Sequence, residues 1–451
     1  MNNVKENKMG TMPVKPLIIN MSLPIMVSML VQALYNVVDS IFVAQISESA
    51  LTAVTIAFPL QNLMIAVGSG TGVGVNAILS RALGEKNKNR SDAAGNMAIL
   101  LALFNYFIFL CLALLIVTPF INSQTDNAEI RSLGNIYLGI VMTFSLGVFL
   151  QITFERLLQA TGRTVLSMIS QLVGAIINII LDPIMIFGLL GFPKLGIAGA
   201  AIATVSGQCI AAVLGLYLNV KLNKEISFSL RQVFKPHFEI IGHIYLIGIP
   251  SILMMSIGSV MTYMMNLILM AFSSTATTVF GAYFKLQSFF FMPIFGMNNG
   301  MIPILAYNYG AKKKDRINEA LRFALILAVC IMSIGTITFE IIPNVLLDLF
   351  NPSKEMMYMG IRALRTIALH FPIAAISIVF ASIFQAFGKS FYSLLVSLIR
   401  QLFILIPAAY LLSLTGNVNN VWWSFLIAEC VSLVLSLVFF KRLYKSTIER
   451  L

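Results

Sequence analysis

Two acidic residues interrupt otherwise apolar runs in the amino-terminal half. Asp39 stands in Tyr35-Asn36-Val37-Val38-Asp39-Ser40, and Asp182 in Asn178-Ile179-Ile180-Leu181-Asp182-Pro183. Asn178 and Asp182 are four positions apart, so on a helix their oxygens project from one face. Ionisable groups within a membrane-spanning helix are costly, and by default they mark ion or substrate paths. Two carboxylates with an amide oxygen form a hard donor set suited to Na⁺, or a pair able to share one proton. A polar network that only ties two helices together would use the same residues.

The carboxy-terminal half carries a different set: Lys285, Arg365, His370, Arg400 and Glu429. Lys285 and Glu429 fall at similar depths and are expected to form a buried ion pair, with a substrate-gating role as the alternative. His370 and Arg400 fit packing and function equally well. Glu155 and Glu340 lie near span ends and are expected at the membrane interface. The four cysteines (Cys111, Cys209, Cys330, Cys430) all sit inside apolar runs without metal-ligand spacing, and the three histidines are scattered. The cysteines read as small buried hydrophobes, and no metal site is expected from the histidines. No catalytic residues are expected, and a metal role is confined to Na⁺ at Asp39, Asn178 and Asp182.

These side chains must be held by apolar elements, and the composition supplies them. Hydrophobic residues make up 58% of the chain and charged residues 11%, against roughly 25% charged in soluble proteins. Mean hydropathy is +0.89. Apolar runs long enough to cross a hydrocarbon core of about 30 Å recur along the whole length. Twelve spans are predicted, at 17–44, 52–80, 93–119, 132–153, 164–189, 197–219, 243–270, 276–305, 318–342, 360–384, 390–413 and 421–441. Prolines 24, 183, 250, 293, 303, 343, 372 and 407 mark kink points within or beside them.

The chain also contains itself twice. Pro24 and Pro250, Gly84 and Gly310, and Gln159-Ala160-x-Gly162-Arg163 and Gln385-Ala386-x-Gly388-Lys389 each stand 226 positions apart. The expected fold is an all-α membrane protein of twelve transmembrane helices in two six-helix lobes related by internal duplication. The amino-terminal lobe would occupy 1–219, a cytoplasmic linker 220–242 and the carboxy-terminal lobe 243–451. Duplicated hydrophobic bundles are a common plan for secondary transporters, which rock two repeats about a central substrate.

Of the 30 lysines and arginines, 23 fall in the termini and even-numbered loops, Lys5 among them. The positive-inside rule then puts both termini in the cytoplasm. The net charge of +12 is topogenic, and no nucleic-acid partner is expected. In this topology Asp39 and Asp182 lie at nearly the same depth, roughly 8–10 Å inside the outer boundary. Gly68-x-Gly70-x-Gly72-x-Gly74 lies mid-span, follows no strand and lacks the Gly-Lys-Ser/Thr ending, so it reads as a close helix contact instead of a phosphate loop. Met254, Met255, Met261, Met264 and Met265 with Phe289-Phe290-Phe291 would suit a pocket for greasy ligands, although such runs more often face lipid or core.

Several of these motifs together resemble the multidrug and toxic compound extrusion (MATE) family. They are the early prolines of spans 1 and 7, Asp39, Ser80-Arg81-Ala82-Leu83-Gly84, Gln159-Ala160-x-Gly162-Arg163 and Asn178-Ile179-Ile180-Leu181-Asp182-Pro183-Ile184. The resemblance covers nearly the whole chain. It implies an outward-opening pair of lobes and export of lipophilic, often cationic compounds against H⁺ or Na⁺. It places the amino-lobe cation site on Asp39, Asn178 and Asp182, with Thr204 of span 6 added. One branch of that family carries acids in spans 7 and 10; this chain has none within 243–270 or 360–384.

The expectation is therefore a multidrug efflux transporter, a cation-coupled antiporter rather than an enzyme, with no cofactor beyond its coupling ion, H⁺ or Na⁺. Its partners would be small lipophilic or cationic drugs and membrane lipid. It would work as a monomer spanning a bacterial cell membrane many times. The alternative is a flippase for a lipid-linked saccharide or cell-wall precursor, which would line the cavity with cations such as Lys285, Arg365 and Arg400.

Overall fold

A computed structural model describes residues 7–350 and 352–451; Lys5, counted above, lies outside them. The first half folds as α1 (Lys8–Thr11), α2 (Val14–Ala44), α3 (Glu48–Gly84), α4 (Lys88–Gln124), α5 (Ala128–Thr143), α6 (Leu146–Ala160), α7 (Thr164–Phe187) and α8 (Ile197–Leu222). A short α9 (Leu230–Val233) follows. The second half begins with α10 (Phe238–Met270), α11 (Ser274–Gly310), α12 (Lys314–Ile341), α13 (Pro343–Asp348), α14 (Lys354–Ala368) and α15 (Phe371–Ala386). It ends with α16 (Ser390–Leu398), a π-helical stretch at Ile399–Leu405, α17 (Ile406–Ser413), α18 (Val418–Val421) and α19 (Trp423–Leu443).

Among the described residues ten helices are long and apolar enough to cross a membrane, or twelve spans when two bent pairs count as one each. Those pairs correct the expectation of continuous fourth and tenth spans. The fourth is bent by 46° between α5 and α6, at Phe144–Ser145, and the tenth by 47° between α14 and α15, at Leu369–His370. Only the second break has a proline beside it, Pro372 in the first turn of α15. The breaks fall within one residue of the 226-position offset, so the bend belongs to the duplicated fold and proline only accommodates it.

Other local devices repeat as well. Ser47 and Ser273 cap the starts of α3 and α11, accepting from the backbone N–H groups of Ala50 (3.0 Å) and Ala276 (3.1 Å). Such caps satisfy donors that a helix start leaves unpaired. Gly162 and Gly388 take the same left-handed turn, with φ of 85° and 74°, a conformation that costs glycine little.

The halves meet through α2, α3, α10 and α11, and glycines set how closely. A β-carbon at Gly84 would collide with the Tyr307 carbonyl, and one at Gly310 with the Arg81 carbonyl. Tyr307 and Arg81 are themselves one repeat apart, so the contact has pseudo-two-fold symmetry. Gly70 and Gly74 press on Ile252 and Ile244 of α10, while Gly296 and Gly300 press on Met26 and Ser22 of α2. Within the glycine run, Gly70 and Gly74 thus face the other half, whereas Gly68 and Gly72 face Phe149, Ile152 and Arg156 of α6. Close helix contact is the function of this motif, as expected.

These contacts lie toward the end that carries the termini. There α1 is wedged between the halves. Asn7 Nδ2 donates to the Thr161 carbonyl (3.0 Å), and Arg316 Nη2 donates to the carbonyls of Met9 (3.0 Å) and Met12 (2.7 Å). Toward the opposite end α2, α3 and α10 expose Leu34, Val37, Ile41, Phe58, Val260 and Leu267. The bundle is therefore tied at the terminal end.

Candidate functional site

Span 5 of the sequence, α7, brings Asn178 and Asp182 to one buried face, 2% and 0% exposed. Pro183 has no N–H to give the carbonyl of Ile179, and the helix ends at Phe187, where Gly188 turns left-handed at φ 75°;. The chain returns as α8, whose inward face carries only small residues: Gly199, Ala203, Gly207, Ala211 and Gly215. Gly199 packs against the Met185 backbone, and Gly207 lies against the Gly174 carbonyl and the Asn178 side chain. Larger residues would hold α8 off. Because they are absent, Thr204 comes within 3.3 Å of the Asn178 amide.

The amide orientation follows from its neighbours. Asn178 Nδ2 donates to Asp182 Oδ2 at 3.1 Å, and its Oδ1 accepts from the Thr204 backbone N–H at 3.1 Å. Asp39, on α2, is 9% exposed, and its carboxyl is a close neighbour of the Asp182 carboxyl. Two carboxyl groups this close share a proton or hold a cation between them, since both cannot stay ionised and unpaired in a low-dielectric site. Asp39 Oδ1 and Asp182 Oδ1 are buried without a hydrogen-bond partner among the described residues. Structure thus brings together all four residues expected at this site: Asp39, Asn178, Asp182 and Thr204.

It adds two tyrosines. Tyr35 of α2 lies near Thr204, and Tyr137 of α5 near Gln61 of α3; both stand close enough to Asp39 and Asp182 to feel their charges. Tyr35 was findable, being one helical turn before Asp39 on the same face. Tyr137 had no local signal.

The carboxy-terminal half departs from expectation. Glu429, on α19, does not pair with Lys285. It pairs with Arg400, whose Nη1 donates to Glu429 Oε2 at 3.0 Å. Lys285 is exposed on α11 and makes no ion pair among the described residues. Depth alone does not select a partner: α11 leaves Lys285 exposed, while the π-helical turn carries Arg400 toward α19. That turn precedes Pro407, which cannot donate a helical N–H;. His370 sits at the break of the tenth span, its Nδ1 on the Ile367 carbonyl and its ring against Phe291, Phe371 and Phe425. Arg365 lies at the far side of α14, 3.7 Å from Glu340.

Glu155, expected near the membrane interface at the end of the fourth span, is 8% exposed and accepts from Gln151 Nε2 at 2.9 Å. The methionine run is divided: Met261 and Met265 are core, Met255 and Met264 are exposed, and Phe290 and Phe291 pack into the aromatic cluster around Phe339 and Phe371.

Comparison with known proteins agrees with this architecture. Multidrug export protein MepA of Staphylococcus haemolyticus (strain JCSC1435) is 26% identical over 420 residues, covering 92% of this chain and 91% of that one. MepA of Staphylococcus aureus (strain MSSA476) is 26% identical over 426 residues, with the same coverage. In fold, the chain is similar to an outward-facing multidrug resistance MATE family transporter of the MOP superfamily, with TM-score 0.93, 23% identity and full coverage of both chains. A MATE structure in complex with MaL6 superposes with TM-score 0.92 at 24% identity, covering 99% of this chain and 100% of that one. The MatE family model matches twice, at residues 24–184 and 250–411, once per repeat. With both repeats matched, the chain belongs to the MatE family.

Proposed function

We propose that the protein is a cation-coupled antiporter that exports lipophilic, often cationic compounds across the cell membrane, with H⁺ or Na⁺ as the coupling ion. The observation that carries this reading is the neighbouring pair Asp39 and Asp182, each with one buried oxygen that has no partner among the described residues, while the Asn178 amide holds the other Asp182 oxygen. The carboxylate oxygens of Asp39 and Asp182 are hard donors that suit Na⁺, with the Asn178 amide oxygen turned instead to Thr204, and the neighbouring carboxyls suit a shared proton equally. The basic residues of the termini and even loops put the tied end in the cytoplasm, so the ion enters from outside. Neutralising the pair removes the cost of an unpaired buried carboxylate, repacks α2, α7 and α8, and releases a bound drug cation. Ion and drug then exclude one another, which is all that exchange requires. Export by the MepA relatives supports the substrate class. One chain carrying both lobes can form the whole pathway as a monomer.

The flippase alternative is disfavoured by the basic residues themselves. Arg400 is turned to Glu429 and Arg365 to Glu340, leaving Lys285 alone of the three cations that would line a cavity for an anionic lipid headgroup.

The test is efflux of a fluorescent lipophilic cation from proteoliposomes under a Na⁺ gradient and a pH gradient imposed separately. Export should follow one gradient, and Asp39→Asn and Asp182→Asn should lower it by on the order of tenfold or more while keeping the fold. Normal gradient-driven export by Asp182→Asn would remove the coupling assignment.

A further inference from the structure

We infer that Arg400 is a resident cation: its guanidinium fills, in the carboxy-terminal half, the place that the coupling ion takes in the amino-terminal half. The transporter thereby has one exchangeable ion site and one that is permanently occupied. This inference rests on the coupling reading above for what the amino-terminal site holds.

The repeat offset makes the comparison residue by residue. Glu429 stands next to Cys430, the counterpart of Thr204, and Arg400 is the counterpart of Gly174, one helical turn from that of Asn178. Gln287, the counterpart of Gln61, accepts from the Tyr283 hydroxyl at 2.6 Å. Met265 and Ala408 replace the two aspartates, so Glu429 is the carboxylate of this site. It is fully enclosed, with its side chain 3% exposed, whereas the Arg400 side chain is 26% exposed and brings its charge in from a more open position. The π-helical turn at Ile399–Leu405 carries the arginine. Glu429 Oε1 is buried and has no partner among the described residues, so the carboxylate has acceptor capacity left and is neutralised only through Arg400. The other titratable groups acting on the pair are Tyr283 and His370, both set in an aromatic wall with Phe425 that keeps water away. A buried carboxylate so paired has no call for an external ion. Without the guanidinium it must recruit one.

The test is a gain of ion response. In an Asp39→Asn, Asp182→Asn background, the thermal stability of the purified protein should be unaffected by Na⁺ and unshifted by acid beyond the background's baseline. Adding Arg400→Gln should create stabilisation by Na⁺ or by acid, and adding Glu429→Gln as well should abolish it. No ion response on Arg400→Gln would overturn the inference. Should Arg400→Gln not fold, the neutral pair Arg400→Gln, Glu429→Gln in the native background decides: it should export within about twofold of the parent, since removing both charges of a buried pair leaves no uncompensated one. Loss of gradient-driven export in that folded protein would overturn the inference by making Glu429 a coupling group. Failure of the coupling reading would show separately, as an ion response of the native protein that Asp39→Asn and Asp182→Asn leave unchanged.

Discussion

In the amino-terminal half two carboxylates are close neighbours, each with an oxygen left unpartnered among the described residues, in a setting that includes an amide, a hydroxyl and two phenols. In the carboxy-terminal half a single carboxylate lies 3.0 Å from a guanidinium and is walled by aromatic rings. The frames around them are alike. Serine caps, a left-handed glycine after the fourth and tenth spans, the bend within those spans and the glycine contacts of α3 and α11 all recur at the repeat offset. Duplication has preserved what sets helix position, namely caps, turns and small-residue contacts, while the charges inside each lobe have diverged. A frame constrained by close packing tolerates little change, because an added methylene in a well-packed contact is felt. A polar site inside it can change so long as its charges balance.

The contrast can be broken most directly at Glu429. Glu429→Ala leaves Arg400 partly buried without its partner, and should cost about 3 kcal/mol, read as a fall in melting temperature in detergent. An unchanged melting temperature would mean that the pair contributes nothing and that the two lobes do not differ as described.

Symmetry of the frame is tested at the tied end. Gly84→Ala and Gly310→Ala each drive a β-carbon into the backbone of the opposite half, at Tyr307 and Arg81. Each should destabilise by roughly 1–3 kcal/mol, and by similar amounts, because the contact is pseudo-two-fold. Strongly unequal losses would show that the repeats have drifted apart here too.

The smallest effect sharpens the amino-terminal site. Thr204→Val removes the hydroxyl beside Asn178 but keeps the backbone N–H that the amide also accepts from. A loss of about 1 kcal/mol should raise the ion concentration for half-maximal export by roughly fivefold, with maximal export unchanged. The matching Cys430→Val should leave that concentration where it is, since the carboxy-terminal site exchanges no ion.

Much of this molecule is legible in one dimension. Transfer of apolar side chains into lipid is a local, additive property, so runs of hydrophobic residues locate the spans. The repeat is visible because caps, turns and helix contacts demand particular residues at particular positions. Asp39, Asn178 and Asp182 are conspicuous because charge and amide are expensive in apolar helices, and Tyr35 follows from helical periodicity. Thr204 came from the family resemblance; the structural signal for it is the small-residue stripe from Gly199 to Gly215, which lets α8 approach α7.

What tertiary structure alone decided is which groups meet across helices distant in sequence. Equal depth suggested Lys285 for Glu429, yet the rotation of α11 and the π-helical turn before Pro407 chose Arg400. Tyr137 joins the amino-terminal site with no local mark, and Glu155 is buried beside Gln151 within α6. Sequence spacing specifies the face of a helix on which a side chain lies. The neighbour that face meets depends on rotation, tilt and breaks set by packing of the whole bundle.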